Sequence, residues 1–152
     1  MSAQSRPMPP SPVLLENVPK SMRTGTGRPP TVLSPSAPMT VALFAGIRVR
    51  DLSAARAWYE QLLGEPSFFP NATEVVWTLA DDRSLYIEED SRRAGGALIT
   101  VLVDDLDALI SAIGSRGLEP AERETYSNGV RKATYRDDDG NEIGFGGAPR
   151  DD

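Results

Sequence analysis

Residues Phe44 to Gly64 read FAGIRVRDLSAARAWYEQLLG, which is one strand, a tight turn and one amphipathic helix. Ala45, Ile47 and Val49 alternate with Phe44, Gly46 and Arg48, the period of a strand whose two faces differ. Asp51 offers a carboxylate to the free N–H groups of a helix start. Leu52, Ala55, Tyr59 and Leu62 then recur at helical spacing, with Trp58 and Leu63 widening the stripe. Gly64 suits the position that ends a helix, and Pro66 prevents continuation.

The same device returns at Leu98 to Gly117, LITVLVDDLDALISAIGSRG. Val101, Val103, Asp105 and Leu106 each stand 54 positions after Ile47, Val49, Asp51 and Leu52. Leu106, Leu109, Ile110 and Ile113 make the helical stripe, and Gly117 closes it. Four matched positions at one fixed offset point to an internal duplication.

The chain has 152 residues, 39% hydrophobic and 25% charged, enough for one domain with a real core plus a tail. It has no Cys, so disulfides, thiolate nucleophiles and zinc–sulfur sites are excluded, and a cytoplasmic location is expected. It has no His either, which removes the commonest metal ligand and the commonest neutral-pH acid–base group. A net charge of −6 argues against nucleic acid as a partner. No apolar run approaches the ~20 residues that cross a bilayer, so no membrane partner is expected.

Residues 1–38 hold nine of the 13 prolines, mixed with Ser, Thr, Gly and Arg. Such a segment buries too little apolar surface to offset its ordering entropy, so a disordered tail is expected, with Met39 as an alternative start. The tail carries Arg6, Lys20, Arg23 and Arg28 against Glu16, a net +3 that leaves −9 for the remainder.

After Gly64 the pattern turns to short strands: Ser67 to Phe69, Glu74 to Leu79 and Leu85 to Glu88, with a turn at Asp81 to Ser84. Ala97 to Val103 opens the second unit. Leu118 to Glu124 reads as an edge strand because of Pro120. Val130 to Arg136 and Glu142 to Phe145 complete it, joined by a turn at Asp137 to Asn141 that reads as solvated. The order is βαβββ twice, an α+β fold.

In this order of elements the chain resembles the vicinal oxygen chelate superfamily, which holds glyoxalase I, bleomycin-resistance proteins, fosfomycin-resistance enzymes and extradiol dioxygenases. The resemblance rests on Ile47-x-Val49-x-Asp51-Leu52, Trp58-Tyr59, Leu63-Gly64 and the run Asp137-Asp138-Asp139-Gly140-Asn141-Glu142-Ile143, where Asp138 replaces the family's usual Pro. It implies two βαβββ modules, about residues 40–90 and 97–147, in a domain spanning 39–149. Their curved sheets would enclose a cleft, with the helices outside. Family members commonly pair, so a homodimer is expected.

The two-residue strand period then separates the faces. Phe44, Gly46 and Arg48 point to the cleft, as do Leu98, Thr100, Leu102, Glu142 and Gly144, and further back Thr134 and Lys132. Trp77 joins them as a candidate stacking surface. The ligand-binding set is thus Phe44, Arg48, Trp77, Leu98, Thr100, Leu102, Lys132, Thr134 and Glu142. Arg48 needs water, an anionic ligand or Glu142 beside it.

The resemblance places metal ligands at Phe44, about Ile87, Leu98 and Gly144, or at Glu88 if that strand is shifted by one. Phe44, Ile87, Leu98 and Gly144 offer no suitable donor, and Glu88 would be one carboxylate where a catalytic site normally uses about three protein ligands, so no metal and no cofactor is expected. Asp51 and Asp105 read as helix caps, and Asp137 to Asp139 lack the ligand spacing of a calcium loop. The reading that follows is a metal-free protein of the bleomycin-resistance type that sequesters a small molecule, an antibiotic or a metabolite. Two alternatives stay open. One is a metal-independent lyase or isomerase acting on a small anionic substrate, with Glu142 or Tyr86 as acid–base and Arg48 as anion clamp. The other is a partner-binding subunit with a vestigial cleft. No catalytic residue is assigned.

Overall fold

The first strand forms where the alternation places it, at β1 Leu43–Val49, with Ile47 and Val49 fully buried and Phe44 and Arg48 exposed. The structure, a computed structural model, describes residues 41–151. The expectations about the tail and Met39 lie outside the described residues. Helix α1 follows at Leu52–Leu63, and Asp51 caps it by accepting from Ala54 N at 3.0 Å. Strands β2 Phe68–Asn71, β3 Glu74–Ala80 and β4 Arg83–Glu89 complete the first module. The second repeats the order with β5 Leu98–Leu102, α2 Leu106–Ser115, β6 Glu122–Thr125, β7 Arg131–Arg136 and β8 Glu142–Gly147. Asp105 caps α2 through Ala108 N at 2.9 Å.

Each module builds one four-stranded mixed sheet, in the orders β1-β4-β3-β2 and β5-β8-β7-β6. In both, the first strand runs parallel to the last, because the helix carries the chain back across the sheet. The sixth strand begins at Glu122, later than the expected Leu118, since Pro120 cannot donate to the ladder.

The helix-facing sides of both sheets meet in one core. The helices therefore lie between the sheets and not outside them as expected, because their apolar stripes bury against each other's module. Ile47, Val49, Tyr59, Leu62, Trp77 and Ile87 from the first module join Leu106, Ile113, Tyr135, Ile143 and Phe145 from the second. The helices also clamp each other. Arg116, at the end of α2, donates to Gln61 O at 2.7 Å and Leu62 O at 3.0 Å, satisfying carbonyls that the end of α1 leaves free.

The turn at Asp137 to Asn141 is not a solvated loop. Asp137 is 7% exposed and Asn141 is fully buried. Asp137 Oδ1 accepts from the backbone N–H groups of Asp139 and Asn141, both at 2.9 Å. The Asn141 amide donates to Arg48 O at 3.0 Å and to Asp137 Oδ2 at 2.8 Å, and its oxygen accepts from Ala97 N. Asp137 and Asn141 therefore join the modules from inside, through Tyr59 and the Arg48 carbonyl, while Asp138 stays exposed.

Candidate functional site

The register of the ladders gives each sheet an open face, the side turned away from its helix. On the first sheet, Gly46 stands opposite Tyr86, and Tyr86 opposite Val76, which pairs with Phe68. One row along, Arg48 is followed by Glu88 and Glu74; on the other side, Phe44 is followed by Ser84 and Thr78. Glycine at 46 lets the Tyr86 ring lie against the strand: a Cβ there would stand 2.5 Å from Cζ and Oη of the tyrosine. The ring packs at 4.9 Å and 33° against Phe44, which is 54% exposed. The result is an accessible aromatic surface, flanked by charge on one side and hydroxyls on the other.

On the second sheet, three rows cross the open face. They are Leu98–Glu142–Arg136, Thr100–Gly144–Thr134–Glu122 and Leu102–Gly146–Lys132–Glu124. Leu98 is 68% exposed. The side chain of Lys132 lies over Gly144, its Cε in the space a Cβ would fill, and a Leu102 methyl lies over Gly146. Glu142 binds Arg136 at 2.6 Å.

The strand period thus places Phe44, Arg48, Leu98, Thr100, Leu102, Lys132, Thr134 and Glu142 on open faces. Trp77 is the correction. It shares a face with Leu85 and Val75, is 2% exposed, packs 6.0 Å from Tyr59 and donates Nε1–H to Gly64 O at 2.9 Å. It is a core residue, because Val75, Val76 and Trp77 are all apolar and the sequence offers no frame for that strand. The aromatic that stacks with Phe44 on the open face is Tyr86, whose signal was the alternation Leu85, Tyr86, Ile87. Arg48 is half-exposed, and its Nε lies 3.5 Å from Asp90 Oδ2, so its carboxylate neighbour is Asp90 and not the expected Glu142.

The positions that metal-using relatives would employ do not supply a ligand set. Phe44, Leu98 and Gly144 hold no donor, and Ile87 faces the core. Glu88 and Glu74 do face outward together. Even so, among the described residues no group of three or more acids is placed to hold a metal ion.

Outside the open faces, Tyr59 Oη donates to Asp137 Oδ2 at 2.8 Å. Burial, and then the neighbouring Asp137 charge, push the Tyr59 hydroxyl well above the ordinary tyrosine range. This pair is structural, since both groups lie in the interior.

Comparison with known proteins agrees with this architecture. No curated protein sequence matches. A crystal structure of a glyoxalase / bleomycin resistance protein from Catenulispora acidiphila DSM 44928 is 54% identical, with a TM-score of 0.70, over 72% of this chain and all of that one. A bleomycin-binding protein complexed with bleomycin has a TM-score of 0.58 at 19% identity, over 74% of this chain and all of that one. A lactoylglutathione lyase from Agrobacterium tumefaciens has 0.55 at 19%, over 73% and 96%. These last two show the fold alone. The family model of the Glyoxalase/Bleomycin resistance protein/Dioxygenase superfamily matches residues 40–145, and the chain belongs to that superfamily.

Proposed function

We propose that this chain is a metal-free small-molecule-binding protein that sequesters an organic ligand, working in the cytoplasm as a homodimer. One observation carries the reading. The open faces offer an accessible aromatic surface, Phe44 on Tyr86, and a glycine-lined sheet, while the family's metal positions carry side chains that do not ligate. Apolar and aromatic surface with a few polar groups suits retention of an organic molecule. Of the two candidate acid–base groups of the enzymatic alternative, Glu142 is held by Arg136, which leaves that reading Tyr86 alone.

Pairing of two copies is supported by the exposure of Phe44 and Leu98 and by the outer edges of β1 and β5, which no strand covers among the described residues. Two copies would bring open faces together and enclose a ligand that one face leaves in water. The bleomycin complex of the structural relative makes bleomycin a reasonable first compound.

The test is a thermal-shift screen of the full chain with bleomycin, other antibiotics and small metabolites, since a ligand that binds only the folded state raises the midpoint. A shift that is lost in Phe44→Ala and Tyr86→Ala supports the reading. No shift from any compound, or shifts indifferent to both substitutions, counts against it. Light scattering that gives a monomer mass at high micromolar concentration would remove the dimer.

A further inference from the structure

Two polar groups on the second sheet's open face stand without partners among the described residues. Lys132 is half-buried, and among the described residues no carboxylate lies within ion-pair distance of its ammonium. Two residues on, Thr134 is 1% exposed, and its hydroxyl has no hydrogen-bond partner among the described residues. Buried hydroxyls are nearly always satisfied, so an orphan one asks for an explanation.

Both groups converge on Gly144. Thr134 is its cross-strand partner, and Lys132 reaches over it with Nζ 3.3 Å from where a Cβ would stand. With no side chain at 144, the sheet has a gap, which the flexible lysine chain fills from outside.

We propose that Lys132 and Thr134 form an oxyanion subsite over Gly144, and that the ligand docks a carboxylate there. When the lysine stem withdraws from the gap, its ammonium stays beside it as a cation, and the Thr134 hydroxyl becomes a donor at its floor. A carboxylate placed there gains a charge-assisted hydrogen bond and satisfies the orphan hydroxyl. Glu122 and Glu124 stand across from Thr134 and Lys132 in the β6 register. Their charges make a dianion costly, so a carboxylate is favoured over a doubly ionised phosphate.

This subsite rests on the ligand-binding reading and narrows it to organic carboxylates. The probes are benzoate, phenyl phosphate and benzylammonium, titrated at millimolar concentrations into the full chain and followed by amide and lysine side-chain NMR shifts. Benzoate is expected to move the resonances of Lys132, Thr134 and Gly144, phenyl phosphate less, and benzylammonium not at all. Lys132→Met should weaken benzoate at least about tenfold, the loss expected when a hydrogen bond to a charged group is removed. Thr134→Val should weaken it too while leaving the fold as stable or more so, because it replaces an unsatisfied hydroxyl by a methyl. A purely structural Thr134 would show no change in binding. Benzoate shifts absent or elsewhere, benzoate binding unchanged in both variants, or equal shifts from benzylammonium would overturn the subsite. If a screened compound binds without Lys132, only the subsite falls; if no compound binds, the broader reading falls with it.

Discussion

Tyr59 on the first helix and Asp137 ahead of the last strand are joined by a 2.8 Å hydrogen bond inside the protein. The same carboxylate accepts from Asn141, whose amide reaches back to the carbonyl of Arg48. One aspartate therefore ties the turn of the second module to both the helix and the first strand of the first. Tyr59→Phe removes one donor and leaves the carboxylate under-satisfied, so a loss of about 1–3 kcal/mol is expected in urea unfolding. Asp137→Ala should cost more, since two backbone donors and the Asn141 amide lose their acceptor as well.

The pH dependence has a definite sign. The folded state holds the Tyr59 proton more tightly than the unfolded chain, where tyrosine ionises near pH ~10. Its contribution is full below that pH and is lost as pH rises above it. Stability should thus fall between about pH 9 and 11, more steeply in the native protein than in Tyr59→Phe. Unfolding midpoints for both proteins across that range check it; equal slopes would remove Tyr59 as the cause.

Trp77 separates core from site. Buried against Tyr59 and bonded to Gly64 O, it should cost about 3–5 kcal/mol as Trp77→Ala. Arg48→Ala should cost no more than about 1 kcal/mol, because its ion pair with Asp90 is solvent-exposed. If Arg48 contacts the ligand, its loss should weaken binding by about 1.5–3 kcal/mol. Unfolding and calorimetric titration of the two variants distinguish the roles.

Gly95 lies at φ +88°, and a Cβ there would stand 2.5 Å from the backbone oxygen of Asp139. A backbone atom cannot step aside, so Gly95→Ala should destabilise by at least about 1–3 kcal/mol. Gly144→Ala would meet the movable end of Lys132 at ordinary backbone angles and should leave the unfolding midpoint nearly unchanged. Comparable losses in both would contradict the packing described.

What could be read from the sequence follows from locality. The strand–Asp–helix unit, its duplication and both caps depend on residues within a few positions of each other, and all were legible. The open-face frame was legible wherever one side of a strand is polar, as at Arg48 or at Lys132 and Thr134. It failed at Trp77, because a strand apolar on both sides carries no frame. The Asp137 turn looked solvated because its partners, Tyr59 and Arg48, lie 78 and 93 residues from the groups they bind. That Thr134 is buried and, among the described residues, unpartnered follows from the packing around it, as does the reach of Lys132 over Gly144, and no periodicity encodes either.

The central claim is retention of a small molecule on these faces without a metal. The most direct measurement is calorimetric titration of any compound that raises the midpoint, in a chelator and then with zinc, nickel, manganese or ferrous ion supplied. The account predicts one affinity under all conditions, reduced by Tyr86→Ala. Binding that vanishes in the chelator and returns with one of the metals would contradict it.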